Sequence, residues 1–354
     1  MGCWLCGKSA SYPFVPQELK GMSLTELDRA AELLERANNR IRRLESEKHT
    51  PIAIVGMACR LPGRIDSPAK LHRALFENGS MPHSLWELFG DDGRYGYEFD
   101  GQFFGLTPRK CRLMAPEHGL LLEVCWEALE SANVALDQVD GTSIGVYVGA
   151  DMEARPGVYR EGIAGFLGQL PSSVSGRISY DLRLTGPSMT VNTACTSGLV
   201  ATHMAVQALR TGECNLALVA GVNVLTRGDH ARTLLQQAEL APRDGVCRPF
   251  DAAAEGFVVT EGCSVLLLER LSDVLARGGR ARASIRGTAH NGDGVRNGFW
   301  GPNPRGQREA ICRALQDAGL DAESVRYVEG HGSGGLTGDE CYCSSLSTAF
   351  PEKS

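Results

Sequence analysis

Residues 186–205 read Gly186-Pro-Ser-Met-Thr-Val-Asn-Thr-Ala-Cys195-Thr-Ser-Gly-Leu-Val-Ala-Thr-His-Met-Ala205. This pattern predicts a strand over Met189–Ala194 and a helix over Ser197–Arg210, joined by an elbow of small residues. Cys195 then lies at a helix N-terminus, where free N–H groups and the positive end of the helix dipole stabilise a thiolate. Cys195 could instead be one more buried thiol among twelve cysteines, but the strand–elbow–helix context favours a nucleophile.

A thiolate that performs acyl chemistry needs an imidazole within reach, and the chain contains eight histidines. His331 is the best placed, because it follows a predicted strand, Val325–Glu329, in a glycine-rich loop that can bend close to a substrate. His203 lies two turns after Cys195 on the same predicted helix and cannot meet it. The remaining histidines have only surface or structural interpretations: His49, His72, His83, His118, His230 and His290.

Short apolar runs alternate with helical patterns after Pro51, which is typical of a layered α/β fold. The other predicted strands are Ile52–Ala58, Ile144–Gly149, Leu216–Val224, Ser264–Glu269 and Ala283–Gly287. The other predicted helices are Leu120–Ala132 and Arg305–Ala318. After Asp339 neither the helical nor the strand period continues, so residues 340–354 are predicted to form an irregular tail.

The region before Pro51 is predicted to contain one helix, over residues 23–48, because Ser23 and Glu26 form a capping box. Its apolar residues follow a heptad pattern, with a positions Leu27, Leu34 and Ile41 and d positions Ala30, Ala37 and Leu44. Three heptads are marginally stable alone, so the sequence predicts a coiled-coil or docking helix that pairs with another chain. The alternative is a helix packed on its own domain.

Residues 1–22 are predicted to be disordered. Two weaker interpretations remain open there. Cys3-Trp-Leu-Cys6 could be a redox or metal pair, although a partner pair at zinc spacing is missing. Met1-Gly2-Cys3 could be an acylation site, although Cys6 stands where N-myristoylation favours Ser or Thr.

Composition excludes several classes of protein. The 354 residues carry 36 Lys and Arg against 42 Asp and Glu, a net charge of −6, so the basic footprint of a nucleic-acid-binding protein is absent. Apolar runs fall far short of the ~20 residues that a membrane-spanning helix needs. Twelve cysteines without a signal peptide predict reduced thiols and a cytoplasmic location, with no metal site assigned.

Several motifs share one order along the chain. They are Pro51-Ile-Ala-Ile-Val-Gly-Met-Ala-Cys-Arg-Leu-Pro-Gly63, Thr193-Ala-Cys195-Thr-Ser, Arg248-Pro-Phe-Asp-Ala-Ala-Ala-Glu-Gly-Phe257 with Glu261-Gly262, Asn291-Gly-Asp-Gly294, and His331-Gly-Ser-Gly334 before Gly338-Asp339. Together they resemble β-ketoacyl synthases, above all the ketosynthase domains of type I polyketide synthases, over residues 51–339. The heptad helix resembles the N-terminal docking or dimerisation coil of modular synthases.

The resemblance implies a thiolase-like fold of two αβαβα halves, here residues 51–270 and an incomplete 271–339, in a protein that is usually dimeric. It implies an acyltransferase that forms an acyl-cysteine and performs decarboxylative Claisen condensation in polyketide or fatty acid biosynthesis. Cys195 would accept the acyl group, and His331 would be the first of two active-site histidines, hydrogen-bonded to the thioester oxygen. No cofactor of its own is implied, because acyl carrier protein presents the substrates on phosphopantetheine. Other polyketide synthase domains are further possible partners.

This chain departs from the family pattern at several positions. Asn192 stands where the family usually has Asp, Gly330 replaces an Ala, and Gly335 replaces a Thr. Ala115 and His118-Gly119 occupy a stretch that is usually polar. The family's Lys-Ser-Asn-Ile-Gly-His-type element, with its lysine and second histidine, has no counterpart, and neither has the final glycine-rich loop.

These departures leave three functional hypotheses. The first is a ketosynthase-type acyltransferase that is impaired in the condensation step. The second is a catalytically incompetent fragment that acts only as a dimerisation or docking partner. The third, a Cys–His hydrolase, fits Cys195 and His331 but not the other motifs.

Overall fold

The architecture comes from a computed structural model. It describes residues 24–77, 99–135, 143–152, 158–225, 233, 235–238, 240–294 and 301–350. The chain divides into two units, Met1–Lys48 and His49–Ser354. The possible sites at Cys3, Cys6, His83 and His230 lie outside the described residues.

In the first unit the described residues form helix α1, Leu24–Lys48, which confirms the predicted helix. Leu34 is 64% exposed and Ile41 is 51% exposed. These two apolar side chains are seven residues apart, so α1 carries uncovered apolar surface at heptad spacing. The coiled coil itself stays a prediction.

A six-stranded mixed sheet, with strand order β3-β2-β4-β5-β1-β6, is the centre of the second unit. The strands are β1 (Ile52–Arg60), β2 (Ile144–Ala150), β3 (Ser188–Val191), β4 (Leu216–Asn223), β5 (Gly262–Arg270) and β6 (Ala283–Ile285). β2 is parallel to both β3 and β4, whereas β5 is antiparallel to β4 and β1. The carboxyl ends of β2, β3 and β4 therefore meet at one edge of the sheet.

Helices cover both faces of this sheet. The α-helices of this unit include α2 (Pro68–Phe76), α3 (Pro108–Leu113), α4 (Pro116–Ser131), α5 (Gly162–Leu167), α6 (Ser173–Asp181), α7 (Ser197–Thr211), α8 (Leu271–Ala276), α9 (Pro304–Ala318) and α10 (Leu336–Ala349). β2 is buried along its whole length. Val146 and Val148 face the core that includes α4, and Tyr147 faces the core that includes α7. This alternation is what a strand between two helical layers requires.

Two predictions for the C-terminal region are wrong. Val325–Glu329 is not a strand, since no strand lies beside it in the described part of the chain. The predicted irregular tail is wrong for residues 340–349, which belong to α10. Its Ser and Cys residues have modest helix propensity, and packing against α9 supplies the stability: the Ser345 hydroxyl donates to Gln307 Oε1 at 2.8 Å.

A buried arginine ties α7 to the C-terminal part of the unit. Arg210 donates to both carboxylate oxygens of Asp317, at 3.0 and 2.9 Å. It also donates to the carbonyls of Thr50 and Arg286, at 3.1 and 3.0 Å. Since a buried charge is stable only when it is paired and hydrogen-bonded, these contacts fix the end of α7 relative to α9.

Tyr147 is an exception to the rule that buried polar groups have partners. Its side chain is fully buried in the middle of β2, and its hydroxyl has no hydrogen-bond partner among the described residues. Burial, with the nearby Cys214, raises the pKa of Tyr147, so the hydroxyl is present as a neutral group.

We expect Tyr147→Phe to leave the free energy of unfolding unchanged or to raise it by up to about 1 kcal/mol, because it removes a desolvated hydroxyl without a partner. Urea denaturation followed by circular dichroism measures the change. Tyr147→Ala, which leaves a cavity, should lose about 3 kcal/mol or more as the control. A loss above about 1 kcal/mol for the phenylalanine variant would show that the hydroxyl is bonded.

Candidate active site

Cys195 lies in a tight turn between β3 and α7, as the sequence predicts. Ala194 has a φ of +53°, which is uncommon for a residue other than glycine and stores strain at functional turns. The Ser197 hydroxyl stabilises the turn: it donates to the Ala194 carbonyl at 2.6 Å and accepts from the Thr193 N–H at 2.9 Å. The chain thereby reverses direction within five residues, and the Cys195 side chain is exposed.

Gly149 allows α7 to start directly against the sheet. A Cβ atom at this position of β2 would lie 2.5 Å from the backbone of Ser197 and Gly198. Any larger residue would push the first turn of α7 away from the sheet. The position of Cys195 therefore depends on a close backbone contact as well as on its own turn.

Cys195 differs from most of the other thiols in its exposure. The ten cysteines of the described residues form no disulfide. Burial raises the pKa of six of them, to about 12 for Cys125; the six are Cys59, Cys111, Cys125, Cys214, Cys263 and Cys341. Cys195 is exposed, as are Cys312 and Cys343, so these three are the thiols that a reagent reaches directly.

His331 lies in a glycine-rich loop that packs on the segment after Arg248. Gly332 and Gly334 have φ values of +52° and +66°, and the Gly334 carbonyl accepts from the Gly256 N–H at 2.8 Å. These glycines let the backbone turn tightly on both sides of Ser333. His331 is exposed.

Asp339 is a residue whose role the sequence analysis missed. It is buried, accepts from the Phe250 N–H at 2.7 Å and contacts the Ser333 hydroxyl at 3.5 Å. Phe250 itself has a φ of +62°, and its ring lies against the backbone of Gly330 and Gly332. The carboxylate thus joins the loop of His331, the Phe250 turn and α10.

The described residues contain no hydrogen bond between Cys195 and His331. A groove of about 700 Å³ lies between residues 321–328 and the end of α10. Cys195 and His331 do not line this groove. Across the described ranges, no group of three or more His, Cys, Asp or Glu side chains could hold a metal ion. Nor is any helix there long and apolar enough to cross a membrane.

The chain belongs to the β-ketoacyl synthase family. The family model "Beta-ketoacyl synthase, N-terminal domain" matches residues 49–274, and "Beta-ketoacyl synthase, C-terminal domain" matches residues 282–354. The layered α/β architecture is accordingly the thiolase-like fold that the motifs predict.

Within this family the chain is similar to the ketosynthase domains of polyketide synthases. It is 41% identical over 343 residues to the pikromycin polyketide synthase component PikAII of Streptomyces venezuelae, covering 89% of this chain and 9% of that protein. It is 39% identical over 340 residues to the erythronolide synthase EryA3 of Saccharopolyspora erythraea, and the match covers 92% of this chain and 11% of that protein. The chain therefore spans about a tenth of the length of these relatives.

Solved ketosynthase structures show the same relationship. The oxazolomycin ketosynthase domain OzmH KS7 of Streptomyces albus JA3453 has a TM-score of 0.74 at 32% identity, covering 85% of this chain and 56% of that chain. The ketosynthase from module 6 of the bacillaene synthase of Bacillus subtilis 168 has a TM-score of 0.75 at 32% identity, and the match covers 86% of this chain and 55% of that chain. The chain thus spans just over half of each solved ketosynthase.

We expect Cys195 to be alkylated by iodoacetamide faster than any other cysteine at neutral pH, because it combines exposure with a position beside the N-terminus of α7. Quantitative mass spectrometry of tryptic peptides measures each rate. Cys312 and Cys343 serve as exposed controls in the same sample. Equal rates for the three thiols would contradict a nucleophilic role for Cys195.

Proposed function

We propose that this chain is an acyltransferase of the β-ketoacyl synthase type in which Cys195 carries the acyl group and His331 acts on the extender unit. The observation that supports it most is the exposed Cys195 thiol on the strained turn between β3 and α7. The chain's membership in the family connects this thiol to acyl transfer rather than to hydrolysis.

In the first step the Cys195 thiolate attacks the carbonyl carbon of an acyl thioester. The C–S bond to the carrier breaks, and the carrier thiol leaves with the proton that Cys195 gave up. The acyl group then remains on Sγ of Cys195. Exposed Thr196 and small Gly198, beside the thiol, leave room for the incoming chain.

In the second step a malonyl thioester loses carbon dioxide, and the resulting enolate carbon attacks the acyl carbonyl on Cys195. The thiolate is expelled, and a 3-oxoacyl thioester remains on the carrier. His331 would donate a hydrogen bond to the thioester oxygen on which the enolate charge develops, a contribution typically worth about 10²- to 10³-fold in rate. The clamp of Asp339 and Phe250 on the loop of His331 supports this role, since it fixes the loop's backbone.

The partner proposed for both steps is acyl carrier protein, which presents each thioester on a phosphopantetheine arm. The exposure of Cys195 and His331 fits a substrate delivered by another protein or domain. Further polyketide synthase domains are proposed as neighbours, since the relatives are polyketide synthase components far longer than this chain.

Acyl loading tests the proposal. The purified chain is incubated with an acyl-carrier-protein thioester, and the tryptic peptide that contains Cys195 should gain the mass of the acyl group. Cys195→Ala should abolish loading, whereas the matched variant Cys312→Ala should load normally. His331→Ala should also load, because His331 is assigned to the second step. Loading on another residue, or loading by Cys195→Ala, would overturn the assignment.

We propose a second role, chain association, for α1. The exposure of Leu34 and Ile41 at heptad spacing supports it, because apolar side chains at a positions are stable when a partner helix covers them. If the chain had only this role and no acyltransferase activity, it would be a docking or dimerisation fragment.

We expect removal of residues 1–48, or the double change Leu34→Glu and Ile41→Glu, to lower the number of chains per particle, which light scattering gives as the measured mass divided by the mass of one chain. Arg36→Glu, on the same exposed helix, is the control and should leave the mass unchanged. An unchanged number of chains per particle after removal of residues 1–48 would show that α1 is not an association element.

A further inference from the structure

Asn192 occupies a special position between the two parallel strands that lead to the site. It follows β3 directly, and Asp151 follows β2. The parallel register pairs Gly149 with Val191, so both side chains leave the sheet at the same edge. There the Asn192 Nδ2 donates to Asp151 Oδ1 at 2.9 Å.

The other end of the Asn192 amide contacts the strained turn. Its Oδ1 accepts from the N–H of Ala194 at 3.1 Å, and Ala194 is the residue with φ +53° immediately before Cys195. An asparagine at the first position of such a turn stabilises it by this local bond. The side chain therefore links Asp151 to the backbone that carries the thiol.

Only an amide performs both functions at this position. The Ala194 N–H needs an acceptor and the Asp151 carboxylate needs a donor, and an asparagine side chain offers one of each. An aspartate could still accept from Ala194, but when ionised it has no donor for Asp151. An alanine could make neither contact.

We propose that Asn192 and Asp151 are positioning residues for Cys195: their hydrogen bond fixes the Ala194 turn and so the orientation of the thiol. The inference rests on the proposed function, since it concerns the same nucleophile. Among the described residues, the titratable side chain that is hydrogen-bonded to Asn192 is Asp151. The hydrogen bonds of Asn192 go to Asp151 and to the Ala194 N–H rather than to Cys195, so the pair acts through the turn.

The variant Asn192→Asp is informative because it changes few atoms and reverses one interaction. It places a second carboxylate beside Asp151, and the two negative charges repel each other. It also brings negative charge within three residues of the thiol, which disfavours the thiolate. We expect alkylation of Cys195 to slow by at least about fivefold at pH 7, since a hydrogen bond to a charged group is lost.

A double variant provides the matched control. In Asn192→Asp with Asp151→Asn, residue 192 accepts from Ala194 and from the new amide at residue 151, so donor and acceptor exchange places at unchanged net charge. We expect the double variant to restore alkylation to within about twofold of the original chain, because the pair again matches. Cys312, on α9, reports on general structural damage, and its rate should be the same in all the proteins.

The pH profile separates positioning from a purely structural effect. Two adjacent carboxyl groups share a proton as the pH falls, because like charges raise the pKa of one of them. The protonated group then donates to the other. The ratio of Cys195 alkylation rates, Asn192→Asp over the original chain, should therefore rise towards one as the pH falls and the carboxyl pair takes up a proton.

Each outcome of these experiments either supports or overturns the inference. Slow alkylation in Asn192→Asp, rescue in the double variant and recovery at low pH support the inference. An unchanged rate in Asn192→Asp, or no rescue in the double variant, overturns it while Cys195 remains the nucleophile. If Cys195 reacts no faster than Cys312 in the original chain, the proposed function is wrong, and the inference is wrong with it.

Discussion

The structure depends most on the left-handed turn at Ala194. A parallel strand that ends at Val191 must pass into a helix that starts at Ser197 and packs on a face of the same sheet. The turn is short enough only because one residue adopts a positive φ, an arrangement that costs of order 1 kcal/mol or more and must be stabilised by its surroundings. The hydroxyl of Ser197, the amide of Asn192 and the missing side chain of Gly149 together supply that stabilisation.

The loop of His331, the second residue of the proposed site, is held by different contacts. His331 lies in a loop without regular structure, and the buried Asp339 fixes it through the Phe250 N–H and Ser333. The Arg210–Asp317 pair joins the far end of α7 to α9, and α9 packs on α10, which carries Asp339. The helix that begins beside Cys195 and the helix that clamps the loop of His331 are thus connected through buried polar contacts.

Much of this architecture could be predicted from local pattern. The apolar runs of β1, β2, β4 and β5 differ from their surroundings strongly enough to locate the strands within a few residues. Helix α7 begins at Ser197, as the sequence predicts. Prediction failed where tertiary contacts decide. Val325–Glu329 has strand-like residues, but no strand lies beside it in the described part of the chain. Helix α10 is stabilised by Gln307 and other contacts that its own sequence does not reveal. The bond between Asn192 and Asp151 joins residues 41 positions apart, which no local pattern indicates.

A crystal structure of the chain after reaction with an acyl donor tests the central claim most directly, because it shows the turn and the reacting atom together. Our account predicts acyl density on Sγ of Cys195, a φ of Ala194 in the left-handed region near +53°, and the Asn192 amide between the Ala194 N–H and Asp151. Acyl density on another residue, or an Ala194 with negative φ and a Cys195 side chain turned into the core, would contradict it.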